Sequence, residues 1–402
     1  MKVVTEYSLQ HDTAAAVAEI AASLLQRMPA APHLLLCYFT SRHDPSVLRA
    51  ALAAHFPGTP LQASTSCNGV LTGAGYHSDD GFALAVWALH DPDGAYGTAL
   101  VSWQPEQLAV SVPAVLYQAQ LRAQRPGELP ALVWVHTTRG AEERIIELLE
   151  NELGASVPIV GGSAGYNLAD GQAFLLDQQQ IVTHGLGITL FYPSCEVATS
   201  FYSGYMPTSH RAVVTACMGR EILELDYQLA ADCFQHWLPA KAGVLPREEK
   251  VLLRTSLYPL GRLSGGQSGQ ATYKLSHVER LTARGGVVLY TDIHAGDVVT
   301  LMQGHPDVLK TRITDSVRQT LQHEYASVQS LAMLTIFCAG SLHSLYPQPE
   351  ALMPLMYDSL QGVPCIAPLT FGELGRNMAG ENMHGNLMVA HVVFYRRLEG
   401  QG

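Results

Sequence analysis

The stretch Val157-Pro158-Ile159-Val160-Gly161-Gly162-Ser163-Ala164-Gly165 joins a proline-led, β-rich run to a turn of small residues. Such a run reads as a short buried strand ending in a tight turn. Upstream, residues 132–135 form an apolar run expected to be a strand buried on both faces. Between them, Thr138 opens a helix over 141–153. Its Ile145, Leu149 and Leu153 make one stripe, and Gly154 supplies a left-handed stop. Downstream, His184-Gly185 leads into a further strand over 186–192. Together these pieces predict one β-α-β unit with a returning strand.

The same plan occurs twice more. In the first copy, the strand 34–39 precedes Asp44-Pro45, an N-cap and first-turn pair leading into Val47, Leu48 and Leu52. Thr59-Pro60-Leu61 then runs into the turn 63–69, which contains Ser66 and Cys67, and Asp80-Gly81 restarts a strand over 82–89. In the third copy, the strand 333–338 precedes a stripe of Leu352, Leu355, Met356 and Leu360, with Pro354 in a first turn or at a kink. Val363-Pro364-Cys365 runs into the turn 369–375, which holds Gly372 and Glu373, and His384-Gly385 restarts a strand over 386–394. The predicted fold is α/β, with three repeated β-α-β units divided between domains 1–220 and 221–402. A helix led by Asp226, carrying Leu229, Phe234 and Trp237, and one carrying Ile313, Val317 and Leu321 serve as connectors or coverings. Ligands of open α/β sheets bind at strand carboxyl ends, so the small-residue turns mark the expected pocket. The plainer reading is that their glycines supply positive φ and tight packing.

Apolar residues make up 48% of the 402, charged residues only 15%, and mean hydropathy is +0.10, which excludes a disordered or coiled-coil chain. With 24 Lys+Arg against 35 Asp+Glu and no basic run, nucleic acid and anionic membranes are poor partners. The N-terminal residues lack the apolar core of a secretion signal, and no run approaches the length of a membrane span. A cytoplasmic protein is expected. Its seven scattered cysteines include no C-x-x-C pair, so they are expected to be reduced thiols, with Cys338 and Cys365 in the core.

The run 157–165, the segment Ile222-Leu223-Glu224-Leu225-Asp226 and the turn Ser66-Cys67-Asn68-Gly69-Val70 resemble the FIST (F-box and intracellular signal transduction) family. So do residues 91–97, Phe371-Gly372-Glu373 and His384-Gly385-Asn386. The resemblance implies an N-terminal and a C-terminal FIST domain forming a sensory module that binds small ligands. Stand-alone members of about this length are similar to the NosP type, which implies a haem-based nitric oxide sensor regulating a separate histidine kinase or cyclic-di-GMP enzyme of bacterial two-component signalling. No kinase, cyclase or receiver segment is recognisable, so a separate partner is expected, as is a homo-oligomer. The alternative is a haem-free sensor of an amino acid or other metabolite.

The expected ligand-binding residues are Ser66, Cys67, Gly161, Gly162, Ser163, Gly372 and Glu373. Haem needs an axial ligand in an apolar pocket. His384 and His184, each before a strand-starting glycine, are the expected iron ligands, with His277 and His294 as further choices; a strand-leading histidine can equally hydrogen-bond a neighbouring carbonyl. No C-x-x-C-H occurs, so the haem would be non-covalent. Cys67 is either a redox-active or ligating thiolate or a packed thiol. Glu373 offers a carboxylate for an amine or for orienting a histidine. Residues 161–165 also match G-x-S-x-G, with Asp177 and His184 following in hydrolase order, but no helical stripe follows Ser163 as a nucleophile elbow requires. Leu263-Ser264-Gly265-Gly266-Gln267 spells an ATPase signature without a phosphate-binding loop to face, and is expected to be a flexible loop over 261–269.

Overall fold

The computed structural model describes residues 1–398 apart from 168, 170, 268–269, 323–327 and 346–361. Three six-stranded sheets repeat one arrangement. Each has a parallel pair at its centre: Leu34–Phe39 with Leu61–Thr65, Leu132–Thr137 with Ile159–Ser163, and Val328–Cys338 with Cys365–Thr370. The returning strand of each unit, Leu84–His90, Gly185–Tyr192 or Val389–Arg397, lies antiparallel beside the first strand of its pair. These central strands are almost wholly buried, as their unbroken apolar runs require.

The last places of each sheet are filled from another unit. Leu175–Leu176 and Ile181–Val182, which follow the second unit's parallel pair, complete the first sheet. Glu373–Arg376 and Asn382–Gly385, from the third unit, complete the second. Val70–Thr72 and Gly75–His77, from the first unit, complete the third. The three units thus exchange hairpins in a closed ring. Around its axis, one face of each sheet contributes to a shared core in which the Trp87 and Phe191 rings lie 5.8 and 5.6 Å from that of Phe394. Trp134 Nε1 donates to the Tyr38 hydroxyl at 2.9 Å, inside the same core.

Helices cover the outer faces. Asp44 accepts from Ser46 and Val47 N–H and caps Pro45–His55 as expected, and Asp12 caps Thr13–Arg27 in the same way. The second unit's helix is Glu142–Leu153, stopped by Gly154 at φ +78°, with Ile145, Leu149 and Leu153 buried against its sheet. The expected third helix, carrying Leu352, Leu355, Met356 and Leu360, lies outside the described residues. Pro306–Gln322 is helical and buries Val317.

Residues 206–303 build a fourth, eight-stranded antiparallel sheet between the second and third units. Positions 220 and 221, where a domain division is expected, fall at the hairpin joining Met206–Met218 to Glu221–Leu225 in this sheet. Asp226 does not open a helix: Asp226 and Tyr227 have φ +48° and +63° and turn the chain between two strands, so the helix begins at Ala230. Nor is 261–267 a loop. Leu260–Gln267 is a strand paired with Gln270–Ser276, and Gly265 and Gly266 sit at a bulge that follows Leu263, where Gly265 has φ +87°.

Two further expectations change. Gly161 and Gly162 belong to a strand rather than a turn, and close approach explains them: a Cβ on Gly161 would stand 1.8 Å from the Val135 carbonyl oxygen. His184 and His384 are not equivalent. Leu186 pairs with Thr137 and Val389 with Phe337, so Leu387 takes the position of His184, while His384 lies in the exchanged hairpin. Leu387 adopts φ +57° and turns the chain out of that hairpin into the long strand.

Gly161→Ala forces a backbone carbonyl apart in a close-packed core, and should lower stability by about 3 kcal/mol. Gly73, whose added Cβ would meet nothing nearer than 3.8 Å, is the control. Urea denaturation should show a large loss for Gly161→Ala and a change within about 0.5 kcal/mol for Gly73→Ala.

Candidate functional site

A cavity of about 470 Å³ opens where the strand ends of all three units meet. The first unit contributes Cys67, just beyond Leu61–Thr65. The second contributes Arg139 and Tyr166, and the third Cys338, Gly340, Thr370 and Phe371. The fourth sheet and its connections close the remaining side with residues 250–254, His277 and Tyr290. A larger cavity, about 670 Å³, lies between Glu196–Tyr202 and Gln270–Ser276 and contains none of the turn residues singled out in the sequence.

Aromatic rings shape the first cavity. Tyr166 and Phe371 meet edge to face with centroids 4.8 Å apart. The Arg139 guanidinium lies 5.4 Å from the Phe371 centroid and 5.8 Å from that of Tyr290, and its Nη2 donates to the Tyr166 hydroxyl at 3.2 Å. Cys67 and Cys338 place thiols in the wall. Burial pushes both up to about 12, which keeps them protonated and poorly nucleophilic. His277 is buried, and burial pushes its imidazole down to about 4, so it is neutral. Its Nε2 lies 3.0 Å from the Leu252 carbonyl, which can only accept, so the proton sits on Nε2 and Nδ1 carries a lone pair. Asn386 Oδ1 accepts the His277 backbone N–H at 3.1 Å and fixes that strand against the third unit.

Of the residues expected to bind ligand, Cys67 lines this cavity. Ser66 receives the Leu369 N–H at 2.8 Å and ties the first unit to the third. Gly161, Gly162, Ser163, Gly372 and Glu373 lie behind the wall. Gly372 is required there, since its Cβ would stand 2.6 Å from His384 Nε2 and 3.2 Å from Ser163 Oγ. Glu373 is fully buried, accepting from Thr370 Oγ1 and Met388 N–H, both at 3.1 Å. Burial raises its pKa to about 7, against the opposing effects of Met388 N–H, His384, Thr370 and Cys338.

Neither expected iron ligand lines the cavity. His184 packs 4.0 Å from the Trp103 ring with Nδ1 3.1 Å from Thr138 Oγ1. His384, 1% exposed, belongs to a charged hub beneath the cavity. Its Nδ1 is 3.1 Å from Glu143 Oε2. Arg220 bridges Glu142 and Glu143 at 2.9 and 3.0 Å, Lys274 reaches Glu143 at 3.2 Å, and Ser163 donates to Glu142 at 2.7 Å. Ligand atoms of Glu142, Glu143 and His384 lie within 4.8 Å of one another, close enough to hold a metal ion. Two cations already neutralise the carboxylates, however, so the geometry is that of an ion-pair network joining the second unit, the third unit and the fourth sheet. Burial would raise the Glu143 pKa, but His384, Lys274 and Arg220 outweigh it and hold the carboxyl well below its usual range. His294 lies at a turn where its N–H donates to Asp297.

The hydrolase pattern is not assembled. Ser163 bonds Glu142, Asp177 accepts from the N–H groups of Gln179 and Gln180, and His184 faces Thr138. Arg139, Lys250, Arg254, Tyr166, Tyr290 and Asn386 were not expected at the site. Arg139 had a signal in its position directly after a strand end, as Cys67 has, whereas Lys250 and Arg254 come from the fourth sheet's connections and carried none.

An α/β ring with a cavity at its strand ends is the architecture of a ligand-binding domain. The FIST N domain matches residues 33–228 and the FIST C domain residues 230–376. The chain therefore belongs to the FIST family, whose domains are sensory modules of signal transduction that bind small ligands. No curated protein sequence matches it. Among solved structures it is similar to PurLQS from Thermotoga maritima, at 9% identity and a TM-score of 0.22 over 98% of this chain and 73% of that one. So low a score carries no argument. Among the described residues, no helix is long and apolar enough to cross a membrane.

The Glu373 carboxyl favours folding when protonated, because its folded pKa lies above the unfolded value of about 4.3. That contribution is complete below the unfolded pKa and is lost as pH rises towards 7. Between pH 5 and 8, the stability of Glu373→Gln relative to the native chain should therefore improve by about 2 kcal/mol in urea titrations. A constant difference would show that Glu373 ionises normally.

Proposed function

We propose that the chain is a non-catalytic sensor whose ligand occupies the 470 Å³ cavity. The observation that carries this reading is convergence: three units and the fourth sheet all contribute to one cavity wall. A ligand there touches elements from distant parts of the chain, and binding that favours one arrangement of them shifts the population towards it. The signal then passes to a separate protein, for which the family resemblance offers a histidine kinase or a cyclic-di-GMP enzyme.

The geometry supports the haem-free metabolite sensor best, since His184 and His384 both lie outside the cavity wall. A second reading, haem capturing nitric oxide, is favoured by His277. It is neutral, and its Nε2–H is directed at the Leu252 carbonyl, as the second ring nitrogen of a metal-bound histidine commonly is directed at an acceptor. The aromatic walls suit a porphyrin, and haem would supply the iron that captures the gas. In this reading His277, rather than the two strand-leading histidines, holds the group.

Gly340 lines the cavity, and a Cβ there would meet nothing nearer than 3.7 Å, so Gly340→Phe should fill the space without unfolding the chain. Small molecules that raise the melting temperature of the native protein should lose that effect in Gly340→Phe. Retained stabilisation would place the ligand elsewhere. Haemin titration separates the two readings: a sharp, saturable absorption band lost in His277→Ala supports haem, and a broad, unsaturable one supports the metabolite sensor.

A further inference from the structure

We infer that the cavity selects an organic anion with a flat apolar body, its acid group held at a mouth formed by Arg139, Lys250 and Arg254. This rests on the reading of the cavity as the ligand site, and adds the charge and shape of what it takes.

The lining contains these three cations and no carboxylate. In a chain with 24 Lys+Arg against 35 Asp+Glu, a wall of one positive sign runs against the overall balance. Nearby cations behave differently: Arg220, Arg262 and Lys274 each form ion pairs with acids. Among the described residues, Arg139, Lys250 and Arg254 have no such partner. Arg139 is nevertheless held in place, its guanidinium against two rings and bonded to the Tyr166 hydroxyl. Arg254 Nη1 donates to the Val244 carbonyl at 3.2 Å. Ordering charged groups before binding reduces the entropy lost when an anion arrives, and a guanidinium suits the planar geometry of a carboxylate. Behind this mouth, Phe371, Val251, Leu252, Ala339 and Gly340 offer apolar surface to the body of the ligand. The His277 imidazole faces the same wall, its Cε1 being 3.9 Å from the position of a Gly340 Cβ.

The test uses matched probes of one shape and different charge: indole-3-acetate, indole-3-acetamide and tryptamine, with haemin as a larger flat dianion. Isothermal titration of the full chain should show the acid binding at least about tenfold more tightly than the amide, with the amine weakest. Lys250→Met and Arg254→Met should each weaken the acid several-fold and leave the amide unchanged, and added salt should act in the same direction as the substitutions. If haemin binds saturably, depends on the two cations and displaces indole-3-acetate, the anion is a porphyrin; if indole-3-acetate binds and haemin does not compete, it is a small aromatic acid. Amide or amine binding as tight as the acid, acid binding indifferent to both substitutions, or no binding by either anion would overturn the inference. Blocking by Gly340→Phe separates the two levels: neutral probes that bind and are blocked leave the cavity standing as ligand site, whereas probes that bind and are not blocked remove the site itself.

Discussion

The exchange of hairpins among the three sheets is the constraint on which the rest depends. A hairpin from the second unit completes the first sheet, one from the third completes the second, and one from the first completes the third. No unit can satisfy the backbone groups of its own last parallel strand without a neighbour. The ring therefore closes only when all three are folded, and it brings their strand ends to one place. The cavity is a consequence of that closure, not a feature of any single unit.

The same closure explains the density of small residues around the site. Hairpins that cross between units bring backbones together: a Cβ on Gly162 would stand 2.9 Å from the Gly372 carbonyl oxygen, and one on Gly372 would stand 3.2 Å from Ser163 Oγ. The charged hub of Glu142, Glu143, Arg220, Lys274 and His384 occupies the next layer down. It ties the second unit's helix to the fourth sheet and to the third unit's hairpin. One residue separates His384 from Asn386 and two separate Lys274 from His277, so the hub lies directly beneath the cavity wall. Largely desolvated charges hold each other in place, because removing one leaves its partners with less compensation.

Much of this architecture was legible in the sequence. Proline-led strands at Pro60, Pro158 and Pro364 and the Asp44 cap gave the units their order, because these are local signals read within a few residues. The hairpin exchange was not legible, since Glu373–Arg376 pairs equally well in principle with any strand that offers an edge; the choice is tertiary. For the same reason His384 looked equivalent to His184, although the extra hairpin moves it out of register. Asp226 looked like a helix cap, and only its left-handed backbone shows a turn. In the site, Cys67 was marked by its place after a strand end. Lys250 and Arg254 were invisible because nothing local ties that segment to the strand ends of the three units, which lie about eighty or more residues away.

The most direct test of the central claim is a crystal structure of the protein purified without denaturation and incubated with a small-molecule extract of its host cells. The account predicts electron density for a bound molecule in the cavity between Cys67, Phe371 and Tyr290, with an acid group at Arg139. A bound molecule between Tyr202 and Tyr273 instead, with water alone at the strand ends, would contradict it.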